Sequence, residues 1–334
     1  MEGIAKCAAD LDSYWGTGAA QKVPQLERDF ETPPGFADLT PIGHGGMGVV
    51  YSALDKKSNQ RVAIKVGKTL GANSDFIKRE FRTLAKIRHP NLVVLKELHQ
   101  FNDSVFFSME YVEGDSFNSK SVTQKKEGAP WLPDQLADLC CRLLELAGGI
   151  DFLHRNGYAH CDIKPSNILV TPSGRVVILD LGLAQSFQRR RRRQDQRFGG
   201  TSAYMSPEQA ASEPPRATSD WYSFGVVMFE TLFGHRPFQG DSLDVLFDKL
   251  VGNVTVPPAA ETGVGESLSN LCVSLLNPDP AKRPVVEEIW QCLERISKSP
   301  TAPIRTPAAQ VRFFGRQQEL DTLCLLYTSD AADE

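Results

Sequence analysis

No stretch of this 334-residue sequence keeps apolar residues together for the roughly 18 positions that a helix needs to cross a bilayer. The sequence given therefore offers no membrane segment. Its start, MEGIAKCAADLDSYWG, lacks a basic run followed by an apolar one, so no secretory signal is expected. The seven cysteines form no C-x-x-C pair, and the adjacent Cys140 and Cys141 would point in different directions on a helix. That pattern chelates a metal poorly, and the expectation is reduced thiols in a cytoplasmic protein. Neither sign of charge dominates. A net charge of −4 argues against a dedicated nucleic-acid binder and makes any basic patch local.

Apolar and charged residues occur in proportions ordinary for a globular domain, and the chain is long enough to bury a sizeable core. Residues 1–35 show no sustained periodicity and end in ETPPG, which predicts a loosely ordered leader. Short β-rich runs follow: GVVYSAL, RVAIKVG, NLVVLKEL and VFFSMEY. One helical pattern interrupts them, SDFIKREFRTLAKIRH, with Phe76, Ile77, Phe81, Leu84 and Ile87 on one face and Ser74 or Asp75 as cap. After EGD the character changes to helices, beginning with PDQLADLCCRLLELAGGIDFLHRNG, which Asn156 and Gly157 should stop. The expectation is an α+β fold with a small β-rich lobe (36–113) and a larger helical lobe (114–298). A Pro-, Thr- and Ala-rich linker (299–312) follows.

Gly43, Gly45 and Gly48 in IGHGGMGVVY have G-x-G-x-x-G spacing, which lets main chain approach phosphates without a Cβ in the way. The loop runs into a second strand and not into a helix, so the dinucleotide-binding reading fails its own context. Lys65 then ends the strand VAIK, and fifteen residues later Glu80 sits among apolar neighbours of the helical pattern, where it could pair with Lys65. Further on, HCDIKPSN sets out His160, Asp162, Lys164 and Asn167 in order.

This set of motifs, over residues 36–298, resembles the protein kinases, and in particular the bacterial eukaryotic-like serine/threonine kinases. The resemblance implies a bilobal fold and transfer of the γ-phosphoryl of Mg-ATP to protein Ser/Thr hydroxyls. Lys65, fixed by Glu80, would hold the α- and β-phosphates; Asp162 would accept the hydroxyl proton; Lys164 would neutralise the transferred phosphate. Asn167 and Asp180, in DLG, would hold Mg²⁺. Ile42, Gly43, Gly45, Gly48, Val50, Ala63 and Leu169 would enclose the nucleotide, with Met109 at the hinge entrance and main chain of Glu110 and Val112 meeting adenine. Leu84, Leu95, His160 and Leu181 would form an apolar stack between the lobes. Glu208 would pair with Arg283, Asp220 would anchor the catalytic loop, and Thr201 would contact Asp162 and Lys164. The alternative from another class is an ATP-binding pseudokinase that serves as a regulatory module. A small-molecule phosphotransferase would share the fold, but usually lacks the SPE segment and the Arg283 partner.

Two departures stand out. Regulated members of the family mostly have arginine where Cys161 stands, to receive a phosphate on the activation segment; a thiol supplies neither charge nor a bidentate contact. Between Phe187 and Gly200 there is no Ser, Thr or Tyr. Both halves of the usual switch are missing together, so mid-segment phosphorylation is not expected to turn the enzyme on. The arginines from Arg189 to Arg193 fill that place, as a solvated basic stretch or as a docking site for an acidic partner; nucleic acid is the least favoured.

At the far end, VRFFGRQQELDTL resembles the opening of an AAA-type ATPase module of the kind that follows kinase domains in large bacterial signalling proteins, here 313–323. Residues 324–334, CLLYTSDAADE, back-translate to a common transposon-based sequencing adapter and are expected to be library artefact. The protein is then a fragment, with C-terminal domains of the same chain missing. A genuine acidic tail is the other reading.

Overall fold

The computed structural model describes residues 30–45, 48–67, 78, 81, 84–102, 104–126, 128–180, 185–186, 203–211, 213–214, 216–240 and 242–298. The leader 1–29, the linker, the ATPase-like motif and the end of the chain lie outside these residues, as do Glu80, Leu181, the arginine run and Thr201.

The first lobe is a five-stranded antiparallel sheet of β1 (Phe36–Gly45), β2 (Gly48–Asp55), β3 (Gln60–Gly67), β4 (Leu95–Phe101) and β5 (Ser104–Glu110), in spatial order β1-β2-β3-β5-β4. Strand alternation sends neighbouring residues of β3 to opposite faces. Val62 and Ile64 join Tyr51, Ala53, Phe36 and Phe106 in an apolar cluster on one face. Phe30 closes this cluster, its ring 5.6 Å from both Tyr51 and Phe106. Ala63 and Lys65 face the other side, toward the second lobe, where Ala63 joins the main core with Leu84, Leu95 and Met109.

Two expected elements differ in extent. The helical pattern ahead of Pro90 is helical at Lys78, Phe81 and Leu84 but has turned by Ala85, short of the predicted His89. Pro90 disfavours helical backbone in the residue before it and draws the chain out early. The strand predicted to start at Asn91 begins only at Leu95, because residues 91–93 bond elsewhere. The Val93 N–H donates to the Ile178 carbonyl (2.9 Å), and the Ile178 N–H to the Asn91 carbonyl (2.8 Å).

The helical lobe has short sheets at its inner edge, β6 (Asp115–Ser116) with β8 (Ile168–Val170) and β9 (Val176–Ile178), and β7 (Tyr158–Ala159) with β10 (Gln185–Ser186). A single turn, α1 (Lys120–Thr123), precedes α2 (Pro133–Arg155), which has Pro133 in its first turn, where a missing N–H costs nothing. Leu136, Leu139, Leu143, Leu146, Ile150 and Leu153 recur three or four apart along α2 and are buried. The turn α3 (Pro207–Ala210) leads to α4 (Ala217–Phe233), which is buried almost all round and is the lobe's central helix. Around it lie α5 (Ser242–Val251), α6 (Ala259–Thr262), α7 (Glu266–Leu275) and α8 (Val286–Ser297), the last packed on α2. Gly225 lets α4 and α7 touch: a Cβ there would come within 2.7 Å of the Leu275 side chain. Among the described residues, no helix is long and apolar enough to cross a membrane. The two-lobed α+β fold is the one expected.

The lobe contains a buried, bidentate ion pair. Arg283 donates to both carboxylate oxygens of Glu208 at 2.7 and 2.8 Å, and also to the Asn277 and Thr218 carbonyls at 2.8 Å. Ser219 Oγ donates to Glu208 as well (2.7 Å). Burial alone would raise the Glu208 pKa, but the hydrogen bonds from Arg283 and Ser219 outweigh it and leave the carboxyl below the usual range. The pair therefore stabilises the fold above the ordinary carboxylate pKa, and its contribution is lost as pH falls through the lowered one. Arg283→Met should strand a buried carboxylate and cost about 3–5 kcal/mol in urea unfolding at neutral pH, with the gap to the unsubstituted protein narrowing as the pH is lowered toward 4. A gap that stays constant with pH would show that Glu208 is not the group concerned.

Candidate active site

The β1–β2 hairpin pairs out to Gly45 opposite Gly48, with Gly43 opposite Val50, so the glycines lie at the turn end of the hairpin. Ile42 beside it is half exposed, at 50%. Val50 pairs in turn with Lys65, and Ala63 with Met109. Val50, Ala63, Lys65 and Met109 are thereby gathered in neighbouring strands by register alone. The Lys65 ammonium bonds the carboxylate of Asp180, 115 residues away. Its expected partner, Glu80, lies outside the described residues.

The loop from His160 to Asn167 is built on Asp220 in the first turn of α4. Asp220 is fully buried and accepts from the main-chain N–H of His160 (2.7 Å), that of Cys161 (2.8 Å) and the ring Nε2 of His154 (2.8 Å). His160 Nδ1 accepts from the Asp162 N–H (3.2 Å), so Nε2 carries the ring proton and donates to the Leu179 carbonyl (3.0 Å). The chain passes Cys161 at φ +68° and Asp180 at φ +48°, a left-handed conformation that side chains other than Gly and Asn rarely adopt. Such strain costs roughly 1–3 kcal/mol per residue. A hydrogen bond to a buried carboxylate contributes about 1.5–3 kcal/mol, so the bond from the Cys161 N–H to Asp220 is of the size needed to offset the strain there. On its other side the Cys161 carbonyl accepts from Gln209 Nε2 (3.1 Å) at the start of α3.

Asp162 follows with its carboxylate held by two donors, Lys164 Nζ and Asn167 Nδ2, each 2.9 Å from Oδ2. The same Asn167 amide donates to the Asp162 carbonyl (2.9 Å), and the Leu179 N–H donates to the Asn167 carbonyl (2.7 Å). Burial raises the Asp162 pKa, with Lys164 and His160 opposing and the Asp180 charge adding to it. Asn167 spends its amide hydrogens on Asp162, which leaves its Oδ1 as acceptor; the carboxylate of Asp180 is the other oxygen donor expected to meet a metal. These oxygens suit a hard cation such as Mg²⁺. Among the described residues, no group of three or more His, Cys, Asp or Glu could cage a metal unaided.

At the hinge, the Glu110 N–H donates to the Val94 carbonyl (2.8 Å), and its carboxylate pairs with Arg175 from the turn between β8 and β9. Val112 follows in extended chain, and Leu169 on β8 is half-buried. Leu84, Leu95 and His160 are buried between the lobes, and Leu181 lies outside the described residues. Arg175, His154 and Gln209 were not singled out from the sequence. Each acts on a residue more than 40 positions away, and no local spacing signals it.

A family model for the protein kinase domain matches residues 36–292. The chain is similar to a probable serine/threonine-protein kinase of Clostridium perfringens, 31% identical over 81% of this chain and 40% of the relative. It is also similar to probable serine/threonine-protein kinase PknB of Bifidobacterium longum (33% identical; 72% of this chain, 36% of the relative). A third relative is serine/threonine-protein kinase PknA of Mycobacterium tuberculosis (32% identical; 80% and 62%). The chain thus spans between about a third and two thirds of the length of these curated relatives. The matched residues run from the first strand of the small lobe into the last helix of the large one and take in every residue of the cleft described above, and on that ground the chain belongs to the protein kinase family.

Proposed function

We propose that the chain is an active serine/threonine protein kinase that transfers the γ-phosphoryl group of Mg-ATP to protein hydroxyls, with residues 36–298 as its catalytic domain. The observation that carries this reading is the geometry of Asp162. Its carboxylate is aligned by Lys164 and Asn167 and raised in pKa by burial, and Lys65 and Asp180 meet across the same cleft. The names of the bacterial relatives point the same way.

When bound, ATP supplies the phosphoryl group and magnesium offsets the phosphates' charge. The chain's own part is to position and to neutralise. Lys65, with Glu80, holds phosphate oxygens. Gly43, Gly45 and Gly48 let main chain approach them, and Ile42, Val50, Ala63 and Leu169 exclude water around the base. Met109 bounds the base's inner edge, and Glu110 and Val112 offer it main-chain groups. Asn167 and Asp180 provide the cation's protein oxygens. Asp162 orients the acceptor hydroxyl and takes its proton at Oδ, and Lys164 lies within reach of the charge that develops. The need for ATP makes the cytoplasm the setting, and acidic regions of a substrate or partner are the chemistry that suits the arginines 189–193.

Regulation follows from Cys161. Its main chain is held on both sides, by Asp220 and by Gln209, so the loop takes its shape without a phosphate-bound arginine at this position. We infer that activity does not depend on phosphorylation between residues 187 and 200.

Two outcomes are expected. Asp162→Asn should lower kcat by about 10²–10⁴-fold with the fold intact by circular dichroism, and the acid limb of the rate profile should fall at an apparent pKa above that of an ordinary aspartate; labelling equal to that of the unsubstituted protein would favour the ATP-binding regulatory module instead. Protein treated with phosphatase should keep its initial rate, and a large loss restored by autophosphorylation within 187–200 would overturn the regulatory reading.

A further inference from the structure

The peptide between Cys161 and Asp162 is the last main-chain unit before the carboxylate of the cleft, and both of its polar groups have partners. Its N–H, that of Asp162, donates to His160 Nδ1 (3.2 Å), and its carbonyl, that of Cys161, accepts from Gln209 Nε2 (3.1 Å). The first partner belongs to the loop itself, and the second to α3, 48 residues away. Cys161 is held at φ +68°, and a residue in a strained conformation can relax by turning the peptide on either side of it. Asp220 opposes that turn on the near side through the Cys161 N–H (2.8 Å). On the far side, Gln209 is the group from outside the loop that opposes it.

An amide suits this place because its two ends differ. Gln209 Oε1 accepts from the Ser206 N–H and from Ser206 Oγ, each at 3.1 Å, and so completes the reciprocal cap of α3. The Ser206 N–H can only donate and the Cys161 carbonyl can only accept, which fixes the orientation of the amide. A glutamate would serve the cap equally well, since it is favoured three places after a capping serine. It would, however, set a second acceptor against the Cys161 carbonyl. The cap alone does not call for an amide; the carbonyl of Cys161 does. The base from which Gln209 reaches is held by contacts outside the loop. Lys249, on α5 and 1% exposed, donates to the Met205 carbonyl (2.7 Å), and Ser223 Oγ on α4 to the Tyr204 carbonyl (2.8 Å). Arg283 grips the neighbouring Glu208 at 2.7 and 2.8 Å.

We propose that Gln209 is a positioning residue for Asp162: its amide, aimed by the cap of α3, locks the Cys161–Asp162 peptide and so sets the direction in which the Asp162 carboxylate leaves the bend. The inference rests on the kinase reading above. It gives a neutral side chain of α3 the task of joining that helix to the catalytic loop, through main chain, at the position where Cys161 offers no charge.

The test is Gln209→Glu in the full chain, with myelin basic protein as acceptor, because this change keeps the cap and removes only the donor. It should lower kcat about tenfold, the scale of one lost hydrogen bond. The KM for ATP should stay within about twofold, since the residues assigned to ATP are untouched. The unfolding midpoint should stay within about 2 °C, and amide exchange should quicken at Cys161 and Asp162 but not in α8. Ser206→Ala is the complementary control: it removes the cap hydroxyl but leaves the Ser206 N–H for Oε1. It should lower the midpoint by about 2–4 °C and leave kcat within about twofold. Should Gln209→Glu fail to fold, Gln209→Met, which lacks the donor without adding a charge, carries the same expectation for kcat per folded molecule. An unchanged kcat in the Gln209 variant overturns the proposal and leaves the kinase reading standing. So does an equal loss of kcat in Ser206→Ala, which would assign the effect to the cap, or a fall in midpoint with kcat and the KM for ATP moving together. Absence of phosphotransfer by the unsubstituted protein, to the acceptor or to itself, overturns the kinase reading and this inference with it.

Discussion

The buried carboxylate of Asp220 is the contact on which the cleft depends. It lies on the central helix of the larger lobe and bonds the main chain of His160 and Cys161 directly. Two adjacent N–H groups can converge on one carboxylate only if the chain between them folds back, and the left-handed conformation of Cys161 is the result. From there the remaining contacts follow in order. Asp162 leaves the bend toward the cleft, its N–H caught by the His160 ring, and the other ring nitrogen of His160 fastens the Leu179 carbonyl just before Asp180. A single desolvated charge thus sets the positions of both carboxylates of the cleft. A neutral side chain at residue 220 would lack the energy to hold that bend, because each charge-assisted bond is roughly twice as strong as a neutral one.

The lobes are joined by main chain as much as by side chains. Residues 91–94 could have extended β4, as their β-branched and apolar sequence suggests. Residues 91–93 pair with β9 of the other lobe instead, and Asn91 adds side-chain bonds to the Val176 carbonyl and to Glu145. The Glu110–Arg175 pair closes the same seam at the hinge. The back of the cleft is therefore a fixed joint, while its front is bridged by Lys65 and Asp180 alone among the described pairs that reach from β3.

Much of this could be read from the sequence, and the reason is local. A glycine hairpin running into a strand, a strand ending in Lys65, and the close-set Asp162, Lys164 and Asn167 are patterns within about ten residues of one another. Strand pairing turns the glycine hairpin and Lys65 into geometry, while Asp162 takes its place only once Asp220 holds the chain before it. The long helix α2 was legible for the same reason, since its leucines and isoleucine keep helical spacing. What stayed hidden depends on distant pairing. Strand propensity at residues 91–94 is satisfied equally by β5 or by β9, and only the assembled lobes decide between them. His154 looks like an ordinary last-turn histidine of α2, where a cation suits the helix end. It is its place opposite Asp220 that gives it a partner. Lys249 reads as a solvated residue of an amphipathic helix, because nothing near it in sequence shows that α4 and the segment 203–206 cover it.

The buried charges of the helical lobe share one property. Asp220 holds the N–H groups of residues 160 and 161, Arg283 holds carbonyls at 218 and 277 as well as Glu208, and Lys249 holds the carbonyl of 205. Each ends on main chain of a loop or a helix terminus. Apolar side chains of equal volume would give a core at least as stable, since buried ion pairs often add little net stability over a hydrophobic replacement. They could not, however, fix a peptide group that belongs to no helix or strand ladder. Irregular chain beside Asp162 is unavoidable, because the carboxylates must project into a cleft where regular elements end, and its polar groups need partners once water is excluded. Buried charge is then the means by which a loop is held to the precision of a helix, and the cost in desolvation falls where the chemistry requires irregular backbone.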